Sequence, residues 1–300
     1  MTDAIAKDAT AIAFIGLGMM GLPMASRLLA AGFAVRGADL SAAARAAFAE
    51  RGGQLFDTPD ESAQGARIVI TMLPNGAIVR DALLGKNGAA EALTSGALVI
   101  DMSSSAPMDT RRLAEDLAVK GISLIDAPVS GGVKRAVDGS LAIMVGGDVA
   151  EIARARPLLQ AMGKNIIATG PIGSGHAVKA LNNYVSAAGF AAACEAAIVA
   201  EKFGVDPDVF VDVLNVSTGR NNSTENKMKP VVLSGTFDSG FAMALMAKDV
   251  RTASDLATEL GVNAEGARAA AKLWANALAV LGNGADHSEI YRFLARGSAS

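Results

Sequence analysis

The residues GLGMMG at 16–21 stand between a short apolar run, AIAFI, and a stretch with helical apolar spacing, MASRLLAAG. A glycine pattern alone is weak, but one that follows a strand and opens a helix has the context of a dinucleotide fingerprint. Gly16 permits a tight turn, Gly18 lets the backbone approach a pyrophosphate, and Gly21 allows the helix to pack close to the strand. The helix N-terminus then points its free N–H groups at phosphate charge. Asp39 ends the next apolar run, FAVRGAD, where a carboxylate would accept hydrogen bonds from adenosine ribose hydroxyls. A 2′-phosphate there would meet like charge, and Arg36 precedes the acid within the run, so NAD is preferred and NADP remains possible. The competing reading is that Asp39 only helps to cap the helix that follows Ser41.

These residues need a scaffold. From residue 11 to about 170, apolar runs alternate with helix-like stretches: IVITML at 68–73, LVIDM at 98–102, ISLID at 122–126 and LAIMV at 141–145 continue the rhythm. Continuous apolar strands of this kind sit in a parallel sheet covered by helices on both faces. The pattern changes at GPIGSGHAVK, 170–179, after which only Ala-, Leu- and Val-rich helical segments follow. Two domains are expected, 1–170 binding the dinucleotide and 171–300 entirely helical.

At 300 residues, 51% hydrophobic and 19% charged, the chain can fill two large cores. A net charge of -3 with no Lys/Arg cluster makes nucleic acid an unexpected partner. The single Cys194 lies in an Ala-rich stretch and reads as a small buried hydrophobe, which fits a reducing cytoplasm. The first ten residues lack a basic region followed by an apolar one and do not read as a signal peptide. The segment from Tyr184 to Ala200 is interrupted by Glu195 and reads as a buried helix, not a membrane span. No His/Cys/carboxylate cluster suggests a metal.

In order, FIGLGMMGLPMASRLLAAG at 14–32, MLPN at 72–75, DMSSSAP at 101–107, DAPVSGG at 126–132, GSGHAVKALNN at 173–183 and MAKD at 246–249 span nearly the whole chain. Their order and spacing closely resemble the β-hydroxyacid dehydrogenase family, which includes 3-hydroxyisobutyrate dehydrogenases. The resemblance implies an α/β Rossmann-type N-terminal domain, an all-α C-terminal domain and an active site in the cleft between them. It implies cofactor contacts from Gly16, Leu17, Gly18, Met19, Met20, Gly21 and Asp39, with Leu73, Pro74 and Ser104 bordering the nicotinamide half.

Ser130, Gly131 and Gly132 resemble the family's cradle for the substrate carboxylate; read alone, VSGG is a turn. Lys179 matches the catalytic lysine and Asn183, one helical turn on, the substrate-positioning asparagine. A lysine is more often a surface residue. Here the apolar surroundings suggest a lined cleft, where desolvation brings an ammonium's pKa toward the range useful for acid–base work. Lys248 matches a second lysine that reaches the nicotinamide region, and Asp249 either orients that segment or pairs locally.

The implied reaction is reversible hydride transfer between a small 3-hydroxy acid and its semialdehyde or keto acid. Imine reductases of the same fold typically lack the lysine that stands here as Lys179, and a catalytically silent nucleotide-binding protein would not need Lys179, Asn183 and Lys248 together. STGRNNSTEN, 217–226, either reads extra substrate groups through Arg220, Asn221 and Asn222 or is an exposed loop. His176 is expected to be incidental, and His287, in the tail segment DHSEIYRFL, either covers the cleft or, as expected, packs at the surface. The helical half is apolar in excess of its own core, so a homodimer or homotetramer is expected.

Overall fold

A computed structural model describes residues 11–297; the sequence reading of the first ten residues lies outside them. The chain divides into two compact units, Met1–Lys179 and Ala180–Ser300.

The first unit alternates strands and helices: β1 (Ile12–Ile15), α1 (Gly21–Ala30), β2 (Val35–Ala38), α2 (Ala42–Ala49), β3 (Gln54–Phe56), α3 (Pro59–Ala63), β4 (Ile68–Thr71), α4 (Gly76–Leu84), β5 (Leu98–Asp101), α5 (Pro107–Ala118) and β6 (Ser123–Asp126). It continues through β7 (Val129–Ser130), α6 (Gly132–Asp138), β8 (Leu141–Gly146), α7 (Val149–Met162) and β9 (Gly163–Gly170), and leads into α8 (Ser174–Phe203). The sheet order is β3-β2-β1-β4-β5-β6-β8-β7, with β9 beside β8; the first six strands are parallel and β8 is antiparallel to β6 and β7. Chain order therefore reverses between β1 and β4, the switch point at which open α/β sheets form a crevice beyond the strand ends.

Alternation along each strand supplies both cores. Ile12 and Phe14 pack on one face with Met24 and Leu28, while Ala13 and Ile15 pack on the other with Val79 and Leu83. Side-chain caps start the helices: Ser41 Oγ accepts from Ala44 N at 3.3 Å, Asn75 Oδ1 from Ile78 N at 3.0 Å, and Pro107 opens α5. The apolar runs identified in the sequence form β1, β2, β4, β5, β6 and β8. β3, β7 and β9 were not legible: β3 and β9 are largely exposed and β7 is two residues long, so none needs an apolar run.

The second unit contains the greater part of α8, then α9 (Pro207–Val216), a π-wound helix at Thr224–Leu233, α10 (Met243–Glu259), α11 (Glu265–Leu281) and α12 (Ile290–Gly297). Among its described residues the only β pairing is an isolated bridge between Ala242 and Asp286. Phe190, Met228, Met246, Val250, Trp274 and Ile290 form its core. Cys194 is part of that core, its Sγ 3.9 Å from Met228 Sδ, and burial pushes the thiol far above its ordinary value, so it is no nucleophile. α8 is long and apolar enough by composition to cross a membrane; the face that carries Ala187, Phe190, Cys194 and Ala197 is buried in this core, and 44% of its most apolar window is buried.

Candidate active site

The glycine loop lies between β1 and α1 at the switch point. Gly16 has φ +99°, and a Cβ there would overlap the Met72 carbonyl in the loop after β4; one at Gly21 would overlap the Gly16 carbonyl. Both positions therefore require glycine. Gly18 is different: a Cβ would meet nothing within 4 Å, and Gly18 and Met19 are exposed. The backbone at Gly18 faces open space beside the N-terminus of α1, a cradle that a side chain would fill and that suits a pyrophosphate. Leu17 is buried in the sheet's core, whereas Met20 is the half-buried N-cap.

Asp39 follows β2. Its Oδ2 accepts from Leu17 N at 2.6 Å and its Oδ1 from Ser41 N at 2.7 Å, so the carboxylate ties the glycine loop to the start of α2 while Ser41 does the capping. Each oxygen retains a lone pair for a further donor. Arg36 is committed elsewhere, donating to the Gln64 carbonyl and lying 4.6 Å over the Phe56 ring.

The loops after β4 and β5 are joined by Ser103. Its Oγ accepts from Leu73 N at 2.9 Å and its N–H donates to Asp101 Oδ1 at 3.0 Å. Asp101 ends β5, is 1% exposed, and is satisfied further by Thr71 Oγ1 at 2.9 Å and Ser105 Oγ at 2.8 Å. Pro74 is exposed and Ser104 half-buried on these loops.

Ser130 is half-buried at the end of β7, and Gly131 (φ +132°) and Gly132 (φ +66°) are exposed at the start of α6. A Cβ on Gly132 would meet nothing within 4 Å, leaving its backbone open to approach. Lys179 is half-buried on α8. The start of that helix is held by Asp126, at the end of β6, whose Oδ1 accepts from Gly173 N and Oδ2 from His176 N, each at 2.7 Å. A buried carboxylate thus satisfies the Gly173 and His176 N–H groups at the helix start and complements the helix dipole. His176 is 1% exposed and bonded at both ring nitrogens.

In the second unit, Asn183 is buried on α8, four residues beyond Lys179 and therefore on the same helical face. Its Nδ2 donates to Asp249 Oδ2 at 2.6 Å, and Lys248 Nζ lies 3.4 Å from Asp249 Oδ1. Asp249 is therefore not merely a local charge partner; it orients the Asn183 amide and leaves one amide hydrogen for another acceptor. In the polar stretch, Asn221 is used internally: its Oδ1 accepts from Ser223 N at 2.8 Å and Thr224 N at 3.2 Å, starting the π-wound helix. Arg220 pairs with Glu225 at 3.7 Å, and Asn222 accepts from Asn226 Nδ2.

His287 does not pack at the surface. It is 1% exposed, ringed by Phe190, Phe241 and Trp274, with Lys227 Nζ 3.0 Å from its Nε2 and the Phe241 carbonyl 3.1 Å from its Nδ1. Burial lowers the pKa of both His287 and Lys227. At Asp286 burial works the other way, but hydrogen bonds from His287, Ser288 and Ser239 outweigh it and hold the carboxyl well below its ordinary range.

A parallel 3-2-1-4-5-6 sheet with a glycine loop and an acid at its switch point defines a dinucleotide-binding oxidoreductase fold. Residues 11–170 match the family model described as the NAD binding domain of 6-phosphogluconate dehydrogenase, and residues 173–294 the one described as NAD-binding of NADP-dependent 3-hydroxyisobutyrate dehydrogenase. The chain is 40% identical over 252 residues to 3-sulfolactaldehyde reductase of Escherichia coli, covering 84% of this chain and 85% of that protein. It is 40% identical over 247 residues to 3-hydroxyisobutyrate dehydrogenase of Pseudomonas aeruginosa, covering 80% and 83%. The solved structure of Mycobacterium tuberculosis 3-hydroxyisobutyrate dehydrogenase with L-serine superposes with a TM-score of 0.88 at 37% identity, covering 95% of this chain and 99% of that one. The chain belongs to the β-hydroxyacid dehydrogenase family, NAD(P)-dependent enzymes that act on CH–OH groups.

Proposed function

We propose that the protein interconverts a small 3-hydroxy acid and its semialdehyde or keto acid, with NAD preferred over NADP and Lys179 as the proton-handling residue. On this reading residues 1–170 bind the dinucleotide, while 171–300 complete the substrate site and mediate assembly into a homodimer or homotetramer in the cytoplasm.

Gly16 to Gly21 would hold the pyrophosphate, Asp39 the adenosine ribose, and Leu73, Pro74, Ser104 and Lys248 the nicotinamide half. When bound, the nicotinamide supplies the hydride-accepting or hydride-donating carbon. The protein's own residues do the rest. Ser130 and the backbone at Gly131 and Gly132 receive the substrate carboxylate, whose charge the open N–H groups favour. The remaining Asn183 amide hydrogen steadies the substrate, its partner Asp249 keeping the side chain in one orientation. Lys179 Nζ takes the proton from the 3-hydroxyl oxygen during oxidation and returns it during reduction.

The observation that carries this reading is the arrangement on α8: a half-buried lysine near a helix start clamped by a buried carboxylate, with an oriented asparagine one turn on. NAD preference is supported by Asp39 and by the engagement of Arg36 away from it. The test is a kinetic panel of 3-hydroxyisobutyrate, L-serine, 3-hydroxypropionate and aldonates with NAD and NADP in parallel. Turnover of at least one 3-hydroxy acid, faster with NAD, is expected; no turnover of any with either cofactor would contradict the proposal.

A further inference from the structure

We propose that His176 is a positioning residue for Lys179, coupling the first turn of α8 to the loops beyond β4 and β5; this rests on the reading of Lys179 as the acid–base group. His176 lies three residues before Lys179 on the same helix. Its Nε2 faces the Ser103 carbonyl oxygen at 3.2 Å, and its Nδ1 the Thr110 hydroxyl at 2.8 Å. A carbonyl only accepts, so Nε2 carries a hydrogen and donates it. Thr110 Oγ1 either donates to Nδ1 or, with Nδ1 also protonated, accepts from it and passes its own hydrogen to the Ala106 carbonyl at 3.1 Å. In both states the ring is fixed at two points on α5 and the β5 loop. Asp101 and Asp126 carboxylate oxygens lie 3.7 Å from Nε2 and Nδ1 respectively, flanking the ring with charge.

Ser103 makes this more than a satisfied buried histidine. The residue that accepts from His176 through its carbonyl also accepts from Leu73 N through its hydroxyl. One short chain of bonds therefore runs from the loop after β4, through Ser103 and the imidazole, into the turn that carries Lys179. Asp126 holds the backbone of that turn, and His176 sets its rotation. A lysine Nζ about 6 Å from the helix axis moves by roughly 1 Å when its turn rotates by about 10°. A displacement of that size can cost about a hundredfold in rate.

The test compares His176→Ala, His176→Gln, Thr110→Val and Lys179→Met, using 3-hydroxyisobutyrate or whichever acid the panel ranks first. Calorimetric NAD affinity, Tm, KM and kcat are measured for each. His176→Ala is expected to lower kcat by about 10- to 100-fold with KM and NAD affinity within about threefold of wild type. His176→Gln, whose amide can again donate to Ser103, should recover most of the loss. Should His176→Ala fail to fold, Thr110→Val, which keeps side-chain shape but removes the hydroxyl at Nδ1, carries the test with an expected fall in kcat of about threefold or more at unchanged KM. A kcat within twofold of wild type in the folded His176→Ala protein, or in Thr110→Val where that protein is the one tested, overturns the positioning role when Lys179→Met is inactive. Turnover by Lys179→Met close to wild type would instead remove the reading on which the proposal rests.

Discussion

Replacing Asp39 with alanine removes two backbone hydrogen bonds together with a candidate ribose ligand, and the two losses are separable. The bond from Leu17 N to Oδ2 is partly buried and charge-assisted, so its loss costs about 1.5–3 kcal/mol; the exposed bond from Ser41 N adds about 0.5 kcal/mol. A loss of about 2–3.5 kcal/mol lowers Tm by about 4–14 °C in a unit of this size. That part is independent of cofactor. The ribose part is not: losing a charge-assisted bond to a ribose hydroxyl should weaken NAD by about 10- to 100-fold. NADP should lose less, or gain, because the like charge opposite its 2′-phosphate is removed. Asp39→Asn keeps an acceptor without charge and should restore most of the Tm but only part of the NAD affinity. Thermal denaturation and calorimetric titration with both cofactors decide the matter. Equal losses for NAD and NADP would reduce Asp39 to a brace for the glycine loop, and an unchanged Tm would refute the energetic argument itself.

The glycine loop makes a paired prediction: Gly18→Ala should keep Tm within about 1 °C and weaken NAD at least tenfold, since its Cβ enters only the space left for the pyrophosphate, whereas Gly21→Ala should lower Tm as well. NAD affinity unchanged in Gly18→Ala would place the pyrophosphate elsewhere. A second prediction concerns acid. His287 has its pKa lowered by burial from an ordinary 6.5, so the unfolded chain binds a proton that the folded one resists. Its contribution to stability is complete above about 6.5 and is lost as pH falls below that toward the folded value. Tm should therefore drop further between pH 7 and pH 5 in wild type than in His287→Gln; parallel Tm–pH curves would contradict it.

Much of the first unit was legible because buried parallel strands must be continuously apolar, and Ile68–Thr71 and Leu98–Asp101 are buried throughout. Edge strands obey no such constraint, which is why Gln54–Phe56 and Gly163–Gly170 gave no signal. At the candidate site the sequence was readable where a residue type is sterically forced, as at Gly16 and Gly21; the roles proposed for Lys179 and Asn183 rest on the motif that carries them. The supporting network was missed. Asp101 and Asp126 each begin a motif and end an apolar strand, and a carboxylate placed there must be buried and bonded; that was the available signal. His287 was misjudged because burial of a lone histidine depends on partners far along the chain, here Lys227 and Phe241, as Ser103 and Thr110 are for His176.

The turnover of Lys179→Met, which retains the apolar stem and removes the charge and the transferable proton, decides whether this lysine moves the substrate proton. If Lys179 moves the proton at the 3-hydroxyl oxygen, kcat should fall at least about a hundredfold while calorimetric NAD affinity stays within about threefold of wild type. A kcat within a few-fold of wild type, with a full primary isotope effect from substrate deuterated at carbon 3, would contradict the account and assign the proton to another group.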